Sequence, residues 1–476
     1  MYPRYSYQSL RRLLTAFGLS AACAGLVHAD PPSALGPLPG EMMANPATPT
    51  GLLDRPYLTG DPGGYRSNLA KNGVTFDLEY LNDYFGIVQG NHPGGHDDDW
   101  GRVRLTIDVD FGKLAGINGL SFHFSGLNQN GGNAGANIGS KANPSSLVSA
   151  ETTRVDTFWL QQKLFNGVLV LRAGQLAQQD DYGVQEYGGS FVMEPLGYAY
   201  GNLFTDVNAQ FDPASKPGVE LQLHPYGGFY AKAEFLNGQS NPYGNQDQHG
   251  VGFDTGGPGL LASEIGFRQD DPKQWPVYQP ETSAKDGKDS KASVKNSSYQ
   301  AGPRWFWEGT LPAVYKVGMY NNFGDFIDLY NGARIHQNYL IYASVNQGIF
   351  RESHYGPGYF RGLDAFIGGD YSPDVSSIEP WQITGGLRYT GLIPHRDKDT
   401  LAAGVVVTHT SASVNTAGDL LLNGPVTDET AFEINYAAQV TGWLLVQPTF
   451  QYYHNVGGAS RREDAILLGA RTKVVF

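Results

Sequence analysis

Charged side chains stand at alternate positions inside several apolar stretches of this 476-residue chain. Arg102, Arg104 and Asp108 interleave with Val103, Leu105, Ile107 and Val109. Arg172 faces away from Leu169 and Leu171, Glu220 stands between Val219 and Leu221, and Lys232 and Glu234 alternate with Ala231, Ala233 and Phe235. Alternate positions of a strand share a face, so each charged set projects together. A guanidinium offers a fork that two adjacent hydroxyls can fit, and ionised groups form the stronger hydrogen bonds. The chemistry open to such a wall is hydrogen bonding to a polar solute. The competing reading of each residue is a solvated position in a charge ladder with no ligand. Arg154 and Asp156 also alternate, but their face continues into Phe158 and Leu160, which conflicts with a single polar face.

Bond-breaking chemistry finds little support. His409-Thr410-Ser411 places a histidine and a serine on one face of a strand, without Gly-x-Ser-x-Gly and without a third group. His92, His96 and Asp97 to Asp99 could hold a divalent cation, although a polar loop tip explains them as well. There is no phosphate loop, dinucleotide fingerprint or Cys/His zinc spacing, so neither a cofactor nor a metal is expected.

The elements that carry these residues begin after an export signal. Met1 to Ala29 has a basic front (Arg4, Arg11, Arg12), an apolar stretch from Leu13 to Val27 and a small-residue cleavage site at Val27-His28-Ala29. The apolar stretch is too short to span a bilayer as a retained anchor. The one cysteine, Cys23, lies inside this signal, and Ser20 stands where a lipoprotein box wants leucine. Disulfides therefore have no part in the fold. Loss of the three signal arginines takes the formal charge from -13 to -16, which argues against a nucleic-acid partner.

Residues 30–73 form a Pro/Gly-rich leader with room for one short helix, Tyr65 to Lys71, ended by Asn72-Gly73. Strict alternation starts at Val74. It recurs in sixteen segments, at about 74–85, 101–111, 118–127, 152–163, 168–176, 217–224, 228–236, 261–268, 313–321, 338–346, 363–371, 381–390, 401–411, 430–441, 445–454 and 465–476. The last segment carries Arg471 and Lys473 on one face and Ile466, Leu468, Ala470, Val474 and Phe476 on the other, and needs a strand to pair with. Long links (86–100, 128–151, 177–216, 237–260) take turns with short ones (112–117, 164–167, 225–227). A soluble sandwich has no reason to sort links by parity, whereas a membrane barrel has long loops on one side and short turns on the other. The expectation is an all-β, antiparallel transmembrane β-barrel of sixteen strands over 74–476, with a short N-terminal helix. Residues 269–312 and 347–362 break the parity. A lost or invented strand is the favoured explanation, with a periplasmic insertion as the other.

Three stretches resemble the carbohydrate-selective porins of the OprB type. Leu58-Thr-Gly-Asp-Pro-Gly-Gly-Tyr-Arg66, with Leu69 and Gly73-Val-Thr-Phe-Asp-Leu78, is similar to that family's entry motif, where Trp usually replaces Pro62. Gly167 to Gln175 is similar to its strand ending in Arg-x-Gly-Gln. The third runs from Gly385 to Phe476 through Gly391-Leu-Ile-Pro-His-Arg-Asp-Lys-Asp399, Glu433-Ile-Asn-Tyr436, Val440-Thr-Gly-Trp443, Gln447-Pro448 and Asn455-Val-Gly-Gly458, and the family commonly has Gly at the place of His395. The resemblance keeps its order along the chain, except for 269–312. It implies a bacterial outer-membrane porin that passes monosaccharides and polyols by diffusion, with the helix near the periplasmic mouth.

On that reading Arg102, Arg104, Asp108, Arg172, Glu220, Lys232 and Glu234 are pore-lining candidates for a constriction. Such a site must stay weak, because flux needs exit as well as entry. The partners are sugars in the lumen and outer-membrane lipid, with a homotrimer as one possible assembly. Trp100, Trp159, Trp381 and Trp443, near strand ends, are expected in the interfacial girdle. A porin for other small polar solutes, a lipid-acting barrel enzyme and a structural surface protein are the alternatives.

Overall fold

The computed structural model describes residues 51–90, 97–201, 203–209, 213–225, 228–238, 247, 249–269, 304–305, 311–352, 360–414 and 424–476. The expected signal, residues 30–50 of the leader, His92, His96 and nearly all of 270–312 lie outside the described residues.

Sixteen long strands form one antiparallel sheet. They are β1 (Val74–Gln89), β2 (Asp97–Asp110), β3 (Leu120–Gly131), β4 (Thr152–Leu164), β5 (Leu169–Leu176), β6 (Lys216–Leu223), β7 (Phe229–Asn237) and β8 (Gly259–Gln269). The second half comprises β9 (Ala313–Asn322), β10 (Asn338–Arg351), β11 (Gly362–Tyr371), β12 (Trp381–Thr390), β13 (Thr400–His409), β14 (Asp428–Gln439), β15 (Leu444–His454) and β16 (Ala465–Val475). Each pairs with its sequence neighbour, and β1 pairs with β16 from Glu79↔Val475 to Gln89↔Ile466, which closes the sheet. Closure leaves no strand edge, the condition for a sheet to cross hydrocarbon. No described helix is long and apolar enough to cross a membrane.

Side-chain burial follows the alternation. Val103, Leu105, Leu171, Val219, Leu221, Ile265, Val317, Ile341, Ile367, Ile383, Ile434 and Leu468 point outward and are exposed, whereas Arg102, Arg172, Glu220, Glu234, Glu264, Lys316, Glu433 and Arg471 point inward and are buried. A soluble sandwich would show the reverse. The outer band is apolar and the charges surround the lumen, the arrangement of a barrel whose outside meets hydrocarbon.

The seam is held on its inner face by ion pairs. Arg471 Nε and Nη2 each reach Asp83 at 2.7 Å, and Lys473 Nζ lies 2.7 Å from Glu79. At the short-turn end sits helix α1 (Tyr65–Lys71), as expected, with the Asp61 carboxylate accepting from the Arg66 and Ser67 amides. Arg66 donates to the Phe76 carbonyl at 2.7 Å and the Phe476 carbonyl at 2.6 Å, bridging first strand and last residue. Gly73 ends the helix at φ +87°, where a Cβ would meet the Asp110 carbonyl oxygen at 2.5 Å.

Two expectations about links are corrected. The first long link, 86–100, shrinks to 90–96 because β1 and β2 continue pairing through Phe85↔Asp98 and Gly86↔Asp97. No strand is lost or invented at 269–312: β8 pairs directly with β9 through Val317↔Ile265, and β9 with β10 through Val317↔Ala343. Residues 270–312 are therefore an insertion in one link at the short-turn end. Arg304–Trp305 within it pairs with Phe350 and Arg351 at the end of β10.

Candidate functional site

Two links at the long-loop end, L2 (132–151) and L3 (177–215), fold into the barrel. L3 runs along the inner wall of β8 to β14. Its Tyr182, Tyr200, Leu203 and Val207 pack with Leu260, Ala262, Tyr320, Leu340 and Tyr342, and its Phe191, Val192, Met193 and Leu196 pack with Phe366, Ala402, Val406 and Ala431. The wall makes room with small residues. At Gly318 a Cβ would lie 2.3 Å from the Tyr342 hydroxyl, and at Gly404 it would lie 2.9 Å from Phe191 and Leu196. L2 covers β1 and β2, where Leu147 packs with Leu81 and Trp100. The two links also bond to each other, Ser146 N to Val192 O at 2.9 Å and Glu194 N to Asn143 O at 3.0 Å.

The seven candidate residues all lie on inner faces, but they do not form one site. Arg102 is buried beneath L2, donating from Nε to Gln129 Oε1 at 2.8 Å and from Nη2 to the Leu147 carbonyl at 3.1 Å. Arg104, two residues along, keeps solvent contact and reaches Asp156 Oδ2 at 3.1 Å. Asp108 stands near the short-turn end of β2, where its carboxylate lies 2.7 Å from His123 Nδ1.

Arg172, Glu220, Lys232 and Glu234 form a second group under L3. Arg172 pairs with Asp181 and lies 2.9 Å from Glu220 Oε2. Lys232 lies 3.2 Å from Glu264 Oε1, donates to the Asp181 carbonyl and sits 4.8 Å over the Tyr182 ring. Glu234 is 3 % exposed beside this cluster. Glu264 also accepts from Gly183 N, Tyr230 Oη and Tyr342 Oη, each at 2.8 Å. Farther along, Glu186 of L3 receives Arg268 at 2.6 Å and Lys316 at 3.3 Å. Burial pushes the Glu186 carboxyl up, but the Lys316 ammonium and the Arg268 guanidinium outweigh this and hold it below the usual carboxylate range.

The conflict in β4 resolves through a bulge. The β3–β4 register shifts between Phe124 and Gly126, and both Asp156 and Thr157 are buried. Arg154 and Asp156 therefore face inward while Phe158 and Leu160 face out. The bulge also turns Trp159 inward, which corrects its assignment to the interfacial girdle. Its ring stacks on His123 (4.8 Å) and the Arg172 guanidinium lies 4.4 Å from its centroid. Trp100 is another correction: it is 3 % exposed, packed against L2. Trp381 lies on an outward position and stacks on His409 at 4.9 Å, and Trp443 lies in the turn after β14.

His409 and Ser411 are not paired with each other. The His409 ring bonds to Asp428 and the Ser411 hydroxyl to Ser413 at 2.7 Å. His92 and His96 lie outside the described residues, and among the described residues no three metal-binding side chains cluster.

The alternation missed the acids and polar groups that L2 and L3 use as anchors: Asp83, Glu264, Lys316, Glu429 and Glu433. Their parity was readable, since Glu429 and Glu433 alternate with Thr430, Phe432 and Ile434. Their partners on L2 and L3 were not. Charged groups that keep solvent contact include Asp77, Glu79, Arg104, Asp108 and His123 on β1 to β3, and Glu186, Arg268 and Arg388 on L3, β8 and β12.

The sequence model of the carbohydrate-selective porin family, OprB, matches residues 97–476. Porin B of Pseudomonas aeruginosa is 24% identical over 467 residues, covering 88% of this chain and 91% of that porin. Among solved structures, the high-pH structure of Pseudomonas putida OprB superposes with a TM-score of 0.74 at 17% identity, covering 89% of this chain and 99% of that one. The low-pH structure of the same porin gives 0.53 at 17% identity and the same coverage. At these identities the structural likeness speaks to the fold. His395, where the resemblance expects glycine, stands at φ +66°, the left-handed backbone that glycine adopts without strain.

Proposed function

This chain belongs to the OprB family of carbohydrate-selective porins and forms an outer-membrane channel for carbohydrates, and we propose that monosaccharides and similar polyols diffuse through it without energy input. The observation that carries this reading is the pairing of charges around the passage. Arg104 faces Asp156, Lys473 faces Glu79, and Arg388 faces Asp364 at 3.0 Å. Paired charges cancel much of each other's field at a distance while keeping directional donors and acceptors at close range. A neutral polyol meets hydrogen-bonding groups on both sides without the electrostatic barrier that a single-sign ring would raise against ions.

Among the seven candidates, Arg104 and Asp108 are proposed to contact solute directly. Arg102, Arg172, Glu220, Lys232 and Glu234 are proposed to set the shape of the passage from beneath L2 and L3. The outward apolar band is proposed to face outer-membrane lipid, with residues 1–29 removed on export and 30–73 forming the leader and helix at the periplasmic mouth. Chemical cross-linking of the reconstituted barrel tests the homotrimer: a three-subunit band supports it and a single-chain band removes it.

Liposome swelling tests the solute class. Glucose is expected to enter faster than a zwitterion of equal size. Equal rates would turn the reading into that of a porin for small polar solutes at large. No enzymatic role is proposed, and Ser411→Ala is expected to leave conductance unchanged.

A further inference from the structure

Beyond the charged wall, the barrel carries a buried polar rack on β14 and β15 that holds both inward links. Glu433 is 2 % exposed and accepts from two consecutive L3 amides, Val192 N at 2.9 Å and Met193 N at 2.7 Å. Four residues along the same face, Glu429 accepts from L2, Ala142 N at 2.7 Å and Lys141 N at 3.0 Å, and from Gly457 N. The strand beside them repeats the arrangement with amides. Gln447 Nε2 donates to the L3 carbonyl of Ser190 at 2.8 Å, and Gln451 Nε2 donates to the L2 carbonyl of Pro144 at 2.9 Å. Asn435 connects the rungs, donating to Glu433 at 2.7 Å and accepting from Gln447 at 2.9 Å.

We infer that this rack fixes the aperture of the channel, with Glu433 and Glu429 as the positioning residues for L3 and L2. The inference rests on the reading that solute passes between the inward links and the charged wall. A carboxylate that accepts two backbone N–H groups holds both the position and the orientation of the segment that donates them. Irregular backbone inside a barrel leaves amides that need partners away from water, and Glu433 supplies them at the L3 turn where Phe191, Val192 and Met193 dock. The barrel wall itself does not depend on these contacts, since its strand-to-strand bonds are made by backbone. Loss of Glu433 should therefore free L3 without opening the barrel. An amide at the same position keeps one acceptor and turns an NH2 toward the second N–H donor, so the glutamine variant should hold L3 incompletely.

The test uses the full chain in planar bilayers and in liposomes. Met193→Cys places a thiol at a position that is 1 % exposed, to be probed with a membrane-impermeant maleimide. With Glu433 intact this thiol is expected to stay unlabelled. With Glu433→Ala added it should label fully, single-channel conductance in KCl should rise, and the fraction of heat-resistant folded barrel should be unchanged. Glu433→Gln, which preserves side-chain length and volume, should give intermediate labelling and conductance. A folded Glu433→Ala or Glu433→Gln barrel that conducts as the parent and leaves the introduced thiol protected overturns the inference. So does a fall in barrel stability with no change in conductance, which would make Glu433 merely structural. Because conductance in KCl and thiol labelling involve no sugar, these outcomes are separate from those of the swelling assay. Glucose entry no faster than the zwitterion with a responsive Glu433 would remove the sugar reading and keep the rack.

Discussion

Two inner walls of this barrel hold carboxylates, and they neutralise them differently. Along β5 to β9, Asp181, Glu186, Glu220 and Glu264 face side-chain cations: Arg172, Lys232, Arg268 and Lys316. Along β14 and β15, Glu429 and Glu433 face backbone amides of L2 and L3. The first arrangement joins strand to strand as well as strand to link, because the cations, Glu220 and Glu264 belong to the sheet while Asp181 and Glu186 belong to L3. The second joins the sheet to the inward links through backbone amides. The difference teaches that inward charge has two uses here, a ladder that keeps the wall neutral and a set of anchors that shapes the hole. The two walls should fail differently when a charge is removed.

The largest effect is expected on the first wall. Arg172→Met leaves Asp181 and Glu220 buried beside each other without their shared cation, and breaking a buried pair in this way costs about 3–5 kcal/mol. Denaturant unfolding of the barrel in detergent should show that loss, and an unchanged midpoint would mean the two acids find other partners.

A functional effect of middle size should follow Arg102→Ala with Arg104→Ala. The first substitution removes the anchor of Leu147 in L2 and the second removes a half-buried fork that keeps solvent contact, so conductance should rise and discrimination between glucose and a zwitterion should weaken. An unchanged swelling profile would place both arginines away from the narrowest point. Each single variant sharpens the comparison: Arg102→Ala should act on conductance and Arg104→Ala on discrimination.

A smaller effect is expected with pH. The Glu186 carboxyl is held below its ordinary range, so its contribution to fixing L3 is fully present above the unfolded value of about 4.3 and is lost as pH falls through the lower folded value. The part of the conductance that depends on Glu186 should change only below the ordinary carboxylate range. Glu186→Gln should abolish that acid step. A step near neutral pH that Glu186→Gln removes would contradict the assignment. Smallest of all is Ser411→Ala, for which neither conductance nor the swelling profile should move.

Much of the fold was legible because strand periodicity is local. The alternation around Val103, Leu105 and Ile107 marks a strand with one greasy and one wet face, whatever its partners. The closing strand was equally plain in Ile466, Leu468 and Val474 set against Arg471 and Lys473. Even the β4 bulge left a trace, since Arg154 and Asp156 could not share a face with both Phe158 and Leu160 in a regular strand. What misled was length: residues 269–312 suggested an error in strand count, although β8 and β9 pair as neighbours around the insertion.

By itself the sequence determined, along the regular strands, which residues face inward and which outward, because a two-residue period is written along each of them. It also determined the order and neighbour-to-neighbour pairing of the strands, since each follows its predecessor through one link. Only the tertiary structure decided which inward charges meet water. L2 and L3 cover Arg102 and Arg172 and leave Arg104 in contact with solvent, and L3 is held by Glu433 across 240 and 241 residues of sequence. Contacts over such separations carry no periodic signal. They exist because a closed sheet brings distant strands around one lumen, where inward links must find partners for their backbone amides.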